Sequence, residues 1–179
     1  MGDPIIVVPY DPNWPREFDA LAGVLDRALG DVALRIEHIG STSVPGLAAK
    51  PILDVDVVID GPDDLPVAVE RLSAVGYIHQ GERGVPGRDA FRYDVDTVPL
   101  DGTGRRWMAH HLYVCVQDSA ELRRHVGFRD YLRAHADVAE EYGRLKLALA
   151  VDFRDDRTGY NDAKTAFVHE VYRLAGLPF

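Results

Sequence analysis

The 179-residue chain has a single cysteine, few lysines and no long apolar run. The lone Cys115 excludes an internal disulfide and favours a reducing compartment. No apolar stretch approaches the roughly 20 residues that a membrane-spanning helix needs. The first residues also lack the basic-then-apolar order of a signal peptide. We therefore expect a cytoplasmic protein with no membrane partner.

Positive charge is also scarce, because 20 lysine and arginine residues face 29 aspartate and glutamate residues, a formal net charge of −9. Proteins that coat duplex DNA carry the opposite balance, since contacts to phosphates dominate their affinity. Duplex DNA is therefore not an expected partner, although a small anion can still bind in a local basic pocket. The hydrophobic fraction of 46% and the length are typical of one globular domain.

Apolar patterns place strands early in the chain and helices late. Short apolar or alternating runs predict strands at residues 5–8, 34–39, 52–59, 76–79, 91–95 and 110–116. Helical spacing begins near Phe18, returns at Leu65 and dominates from Ser119 onward. Either Asp118 or Ser119 can cap the first of the late helices. This order predicts an α+β fold rather than a strictly alternating one.

Two aspartates on the predicted strand 52–59 are the most informative pair. Asp54 and Asp56 are two residues apart, so they share one face of the strand while their apolar neighbours face a core. Two carboxylates on such a strand repel each other, and burial strengthens the repulsion. A spacing of about 6.6 Å between their Cα atoms lets both reach one Mg²⁺, or two ions about 4 Å apart, and a divalent cation removes the repulsion. An exposed sheet face with solvated acids is the alternative interpretation.

A Gly-Ser turn precedes this strand. Gly40 lets backbone N–H groups approach a phosphate closely, and the hydroxyls of Ser41, Thr42 and Ser43 add hydrogen-bond donors. The order of strand, Gly-Ser turn and strand with Asp-x-Asp resembles the nucleotidyltransferase superfamily. In that superfamily the turn holds the triphosphate and the paired carboxylates hold magnesium.

A longer resemblance covers nearly the whole chain. Residues 36–55, which read IEHIGSTSVPGLAAKPILDV, resemble the signature of the GrpB family. Further matches are residues 10–12, 110–114 and 128–133, together with Tyr142, Lys146, Tyr160 and Lys164. The resemblance implies one GrpB-type domain over residues 1–179, with a nucleotidyltransferase-like mixed β-sheet, flanking helices and a helical C-terminal part. It implies little about the substrate.

The third carboxylate of the wider superfamily has no obvious counterpart here. The predicted strand 110–116 offers His111 and Tyr113 at the expected place. Asp94 and Asp96 are also acids at strand spacing, and either is an alternative third ligand. We predict metal ligands at Asp54, Asp56 and His111. The expected ion is Mg²⁺, with Mn²⁺ as the alternative because a histidine ligand favours a softer ion.

The basic candidates for phosphate binding are few. Only three lysines occur, and all of them lie in the segments that resemble the family. Surface lysines are the alternative interpretation for each. Arg129 and Arg133 are further candidates for a basic wall. The predicted set that binds the nucleotide phosphates is Gly40, Ser41, Thr42, Ser43, Lys50 and Lys146.

These residues together predict a metal-dependent nucleotidyltransferase with Asp54 and Asp56 as the catalytic pair. It would transfer a nucleoside monophosphate from an NTP to an acceptor hydroxyl or amine. The acidic balance favours a small-molecule or protein acceptor and leaves RNA open. A nucleotide-binding module without turnover is the alternative, since a third carboxylate is lacking. A zinc site at His38, His110 or His111 with an aspartate is disfavoured, because no H-E-x-x-H spacing occurs.

Overall fold

A five-stranded mixed sheet lies at the centre of residues 4–178, the part of the chain that the computed structural model describes. The elements in chain order are α1 (Trp14–Leu29), β1 (Arg35–Ile39), β2 (Leu53–Ile59), α2 (Leu65–Ala74), β3 (Ile78–His79), β4 (Arg88–Arg92), β5 (His110–Val116), α3 (Ala120–Ala134), α4 (Ala136–Asp152) and α5 (Arg157–Leu174). The predicted α+β class, with a helical C-terminal part, is confirmed.

The strand order is β1-β2-β5-β4-β3. The central strands β2 and β5 are parallel, and every other neighbouring pair is antiparallel. In this register Asp54 lies between Ile39 of β1 and His111 of β5. The two aspartates of β2 therefore lie in the interior of the sheet, with β1 on one side of their strand and β5 on the other.

Helices cover β2 on both faces of the sheet. Leu53, Val55 and Val57 are fully buried in a core that includes residues of α1 and α2. On the other face, Val58 packs against Cys115 of β5 and Leu122 of α3. The predicted alternation along β2 is thus present, with the aspartates on the face that α3 covers. Within residues 4–178, no helix is long and apolar enough to span a bilayer.

The three C-terminal helices also fix the loop that follows the Gly-Ser turn. Val44 and Leu47 of that loop are buried against Leu132 of α3 and Tyr142 of α4. Helix α3 begins where predicted, because the Leu122 N–H donates to the Ser119 hydroxyl over 3.2 Å. The turn is therefore held between the sheet and the helices.

Two predicted strands differ from the structure. Residues 5–8 form only an isolated bridge between Val8 and Ala49, and Ile5 packs with Leu149 and Tyr160 of the late helices. A short apolar run does not distinguish a strand from an extended segment that helices bury. The strand predicted at 91–95 occupies Arg88–Arg92 instead.

The charged start of β4 explains this second difference. Asp89 is buried in the strand, and its carboxylate accepts a 2.6 Å hydrogen bond from Nε2 of His79 in the neighbouring strand β3. This hydrogen bond between two strands gives the buried carboxylate a partner. The alternation of apolar residues cannot reveal such a partner.

Candidate functional site

Gly40 ends β1 in a conformation that requires glycine. Its φ is +68°, a left-handed value that residues with a Cβ rarely adopt. A Cβ at this position would also collide with the carboxylate of Asp54. Gly40 thus serves the backbone turn and the close approach of the Asp54 side chain.

The hydroxyls after Gly40 have different roles. Ser43 is buried and donates to the carbonyl oxygen of Gly40 over 2.6 Å, so its hydroxyl closes the turn. The hydroxyl of Thr42 lies 3.0 Å from Nε2 of His38. Ser41 accepts a 2.7 Å hydrogen bond from Nζ of Lys146 on α4. Of the three predicted hydroxyls, that of Ser41 is therefore the one that contacts a cation.

A cavity of about 260 Å³, here called the lysine cavity, opens between this turn and the helices α4 and α5. It brings together all three lysines of the chain and the half-buried Asp54. Its lining residues are Gly40, Ser41, Thr42, Ala49, Lys50, Ile52, Asp54, His111, Phe128, Tyr142, Lys146, Tyr160 and Lys164. Of the predicted phosphate-binding residues, every one except Ser43 lines the cavity.

The lysines lie against aromatic rings. Nζ of Lys146 is 4.5 Å from the ring centroid of Tyr142, and Nζ of Lys164 is 4.4 Å from that of Tyr160. Lys50 approaches the Tyr160 ring at 5.1 Å. Aromatic faces stabilise cations in a site that water does not fully solvate.

Burial lowers the pKa of each lysine ammonium, and nearby cations lower it further. Burial and then the charge of Lys164 lower the pKa of Lys146 to about 7. Burial and then Lys50 lower the pKa of Lys164 to about 8, and burial also lowers that of Lys50. Cations held in this way gain stability from a multiply charged anion, so the cavity is suited to a phosphate ligand.

The two aspartates differ in their surroundings. Asp54 lines the cavity, and burial raises the pKa of its carboxyl group. Asp56 is completely buried, and its Oδ2 accepts a 2.7 Å hydrogen bond from Nδ1 of His125 on α3. Nε2 of that histidine lies 3.1 Å from the carboxylate of Glu121. Burial lowers the pKa of His125, but the two carboxylates outweigh it and raise the pKa to about 9.

The donor set suits Mg²⁺ through the two aspartates. Asp54 and Asp56 share a sheet face, and Oδ1 of Asp56 is buried without a hydrogen-bond partner. Among residues 4–178, no three His, Cys, Asp or Glu side chains form a group that could hold a metal. Mg²⁺ commonly binds one or two carboxylates and completes its shell with water and phosphate oxygens. The metal ligands Asp54, Asp56 and His111 stay a prediction.

Other acidic and basic candidates lie outside the cavity. Asp94 pairs with Arg92, and Asp96 pairs with Arg106 over 2.6 Å. Neither acid lines the cavity.

Arg129 of α3 contacts β1 instead of the cavity. It donates to the Glu37 carboxylate over 2.6 Å and to the carbonyl oxygen of His38.

Arg133 likewise faces the backbone rather than the lysine cavity. Its Nη2 donates to the carbonyl oxygen of Ser43 over 2.8 Å. The two arginines predicted for a basic wall therefore stabilise other parts of the backbone: Arg129 the end of β1, and Arg133 the turn.

The other histidines named for a zinc site are engaged elsewhere. Burial lowers the pKa of His38 to about 4, and its ring stacks on Phe18 with centroids 4.5 Å apart. His110 lies 2.7 Å from the hydroxyl of Tyr77, and burial lowers its pKa to about 4 as well. In the described part of the chain, neither histidine joins a group of metal-binding side chains.

Sequence reasoning missed two features of this site. The rings of Tyr142 and Tyr160 belong to helical stripes that indicate core packing, yet both also face the lysines. His125 has one local signal, Glu121 four residues earlier on the same helix. Nothing in the sequence shows that this face of α3 packs on Asp56.

The five-stranded mixed sheet, the Gly-Ser turn and the two-aspartate strand define an α+β chain with helices on both faces of the sheet. The chain belongs to the GrpB family, whose model, described as GrpB protein, matches residues 4–174. It is 33% identical to the Glutamate-rich protein GrpB of Alkalihalophilus pseudofirmus over 168 residues, and this alignment covers 93% of each chain. It is 34% identical over 162 residues to the UPF0157 protein YqkA of Bacillus subtilis, covering 90% of this chain but only 44% of YqkA.

A solved structure agrees with this assignment. The crystal structure of conserved protein GrpB from Enterococcus faecalis matches with a TM-score of 0.79 and 36% identity, over 95% of this chain and 96% of that one. A structure of Cid1, an RNA terminal uridylyl transferase, matches with a TM-score of 0.49 and 17% identity, over 79% of this chain and 41% of that one. At that identity and score, the likeness says nothing about the activity of this chain.

Proposed function

We propose that this chain is a metal-dependent nucleotidyltransferase that transfers a nucleoside monophosphate from an NTP to an acceptor hydroxyl or amine. The observation that carries the proposal is the convergence of the chain's three lysines on a cavity that also contains Asp54. A triphosphate needs cationic groups for its oxygens, and a transferred phosphoryl group needs a metal beside it.

The lysine cavity offers the phosphate contacts. Ser41 and Lys146 are already hydrogen-bonded to each other at the end of the Gly-Ser turn. Lys50 and Lys164 approach from the loop before β2 and from α5. Triphosphate binding would stabilise the charged forms of all three lysines, so proton uptake should accompany it near neutral pH.

The two aspartates offer the metal site. Asp54 and the unpartnered Oδ1 of Asp56 would hold Mg²⁺, or Mn²⁺, together with phosphate oxygens. The ion would stabilise negative charge on the transferred phosphoryl group. His125 would be a positioning residue, because its hydrogen bond fixes the Asp56 carboxylate. Gly40 keeps the space beside Asp54 open.

Thermal unfolding with each of the four common ribonucleoside triphosphates tests the proposal, with Mg²⁺, with Mn²⁺ and with EDTA. A ligand at about 100 times its Kd adds about 2.7 kcal/mol, which is a rise of roughly 5–10 °C in Tm for a chain of this size. Lys146→Met should abolish most of the shift. Arg144→Gln, at an exposed surface position on α4, is the matched control. Absence of a shift with every nucleotide would contradict the proposal.

A nucleotide-binding module without turnover is the second candidate. The observation that favours it is the absence, within residues 4–178, of a group of three metal-binding side chains. Pyrophosphate release separates the two candidates, measured with a labelled NTP and a panel of hydroxyl and amine acceptors. Release that Asp54→Asn abolishes supports the transferase, whereas saturable binding with no release for any acceptor selects the module.

A further inference from the structure

A second cavity, of about 540 Å³, lies on the same side of the sheet and adjoins the lysine cavity. We call it the basic groove, after its three arginines, Arg83, Arg88 and Arg92. Its full lining is Gln80, Arg83, Arg88, Ala90, Phe91, Arg92, Tyr93, His110, His111 and Tyr113. The two cavities share His111.

The sheet register connects the groove to the aspartates. Ala90 of β4 pairs with Tyr113 of β5, which in turn pairs with Asp56 of β2. His111 pairs with Asp54. Neighbouring strands are about 4.8 Å apart, so positions on β4 lie about 10 Å from positions on β2. A small molecule in the groove can therefore reach from β4 to the proposed metal site.

The charge of the groove contrasts with that of the chain. The lining contains three arginines and no carboxylate, although the net charge of the protein is −9. Arg88 pairs with Glu121 and Arg92 pairs with Asp94, but both acids lie outside the lining. The guanidinium of Arg88 covers the Tyr113 ring at 4.5 Å.

Two of these arginines, Arg83 and Arg92, are exposed and can contact a ligand. Arg88 instead lines the groove from a partly buried position, where its Nε is buried without a hydrogen-bond partner. Arg83 is exposed, and its Nη1 makes a 3.4 Å hydrogen bond to the neutral side chain of Gln80. Guanidinium groups bind phosphate oxygens in a matching fork geometry, so the groove is suited to a phosphate group.

We propose that the basic groove binds the acceptor and that the acceptor is a phosphorylated small molecule with a free hydroxyl. Its phosphate contacts the groove arginines, and its hydroxyl points past His111 toward Asp54. A volume in the range of small-molecule sites favours a compact ligand, and the acidic surface disfavours a long polyanion. The acceptor role depends on the proposed function, whereas phosphate binding in the groove does not.

The chemical step balances without a further reactant. The acceptor oxygen forms a bond to the α-phosphorus, and the bond from that phosphorus to the bridging oxygen breaks. Pyrophosphate leaves with the electron pair of that bond, and the hydroxyl proton is released to solvent. The product is a phosphodiester that still carries the acceptor's own phosphate.

Calorimetric titration tests the groove with glycerol 3-phosphate and glucose 6-phosphate, each compared with its neutral parent alcohol. The titrations include a saturating triphosphate, so that the lysine cavity is filled. We expect the phosphorylated probes to bind and the neutral ones not to bind. The double variant Arg83→Gln, Arg92→Gln should weaken binding at least about tenfold, as expected for lost charge-assisted hydrogen bonds. Arg144→Gln is the control and should bind normally.

The outcomes separate the groove from the proposed function. Thermal shifts with NTP should be unchanged in the groove variant, and Lys164→Gln should weaken NTP binding while the groove still binds the probes. If no NTP shifts the Tm of the wild type, the proposed function is wrong. Binding of the phosphorylated probes then still tests whether the groove binds phosphate. Probes that do not bind, or that bind the groove variant equally well, overturn the inference. If a short single-stranded RNA binds the wild type but not the groove variant, and the probes do not bind, the acceptor would be RNA and the small-molecule inference would be wrong.

Discussion

The lysine cavity and the buried network around Asp56 lie on the same face of β2 but differ in their charges. The network pairs opposite charges, whereas the cavity gathers like charges. In the network, His125 lies between Asp56 and Glu121, so a cation has anionic partners on both sides. In the cavity, Lys50, Lys146 and Lys164 come together, and burial lowers the pKa of each.

The comparison distinguishes a structural charge from a functional one. Opposite charges that are paired within the protein hold α3 on the sheet, and they leave only Oδ1 of Asp56 without a partner. Like charges that are gathered in a cavity cost stability in the free protein, and they persist where a ligand compensates them. We therefore propose that the lysine cavity binds the ligand and that the network positions Asp56 as a metal ligand.

Asp54→Asn should have the largest effect and should separate activity from stability. Because burial raises the pKa of Asp54, a neutral amide should leave the free energy of unfolding unchanged or higher. Loss of one metal-binding carboxylate should lower transfer about 10³-fold. Urea unfolding and pyrophosphate release check both expectations. An active variant, or one that unfolds much more easily, would contradict this role for Asp54.

His125→Ala should show the reverse pattern, a loss of stability. It leaves the Asp56 carboxylate buried without its partner, which commonly costs about 3–5 kcal/mol. The free energy of unfolding from urea titration measures this loss. The double variant Asp56→Asn, His125→Ala should recover part of it, because the buried charge is gone. A double variant that is less stable by the full sum of both changes would show that the two side chains do not interact.

Lys146→Met should weaken nucleotide binding and should change how stability depends on pH. The pKa of Lys146 is about 7 in the folded protein and near its ordinary value of about 10.4 in the unfolded chain. Between these values only the unfolded chain holds the proton, so stability of the wild type should rise with pH there. The stability advantage of the variant should thus be greatest below pH 7 and fade toward pH 10. Denaturant unfolding at pH 6, 8 and 10 measures it.

Ser119→Ala should have the smallest effect and tests whether α3 acts only as a support. Loss of the cap to Leu122 should cost about 1 kcal/mol, or roughly 2–4 °C in Tm. Nucleotide affinity in the lysine cavity should stay unchanged, because α4 and α5 carry two of its lysines. An affinity change at constant stability would show that the helix cap influences the cavity.

Local rules predicted the fold and part of the candidate site. The alternation of β2 correctly gave the shared face of Asp54 and Asp56, and the Gly-Ser motif gave the turn beside them. The contribution of the late helices depends on long-range packing. Nothing local indicates that His125 meets Asp56, or that Tyr160 underlies Lys164.

Register limited the prediction of the basic groove in the same way. Arg88 and Arg92 look like ordinary charged residues of a loop and a strand edge. Their position in the groove depends on the pairing of β4 with β5, which places them on the side of the sheet that carries the aspartates. Sheet register is not visible in a single sequence when the strand itself contains charged residues.

The most direct measurement of the central claim is calorimetric titration of the triphosphate at pH 8 in buffers of different ionisation enthalpy. That pH is chosen because burial lowers the pKa of Lys146 to about 7 and that of Lys164 to about 8, so that binding of an anion should draw protons onto both lysines. Our account predicts Mg²⁺-dependent binding with an uptake of about one proton, reduced in Lys146→Met. Binding without proton uptake, or no binding at all, would contradict the assignment of the triphosphate to the lysine cavity.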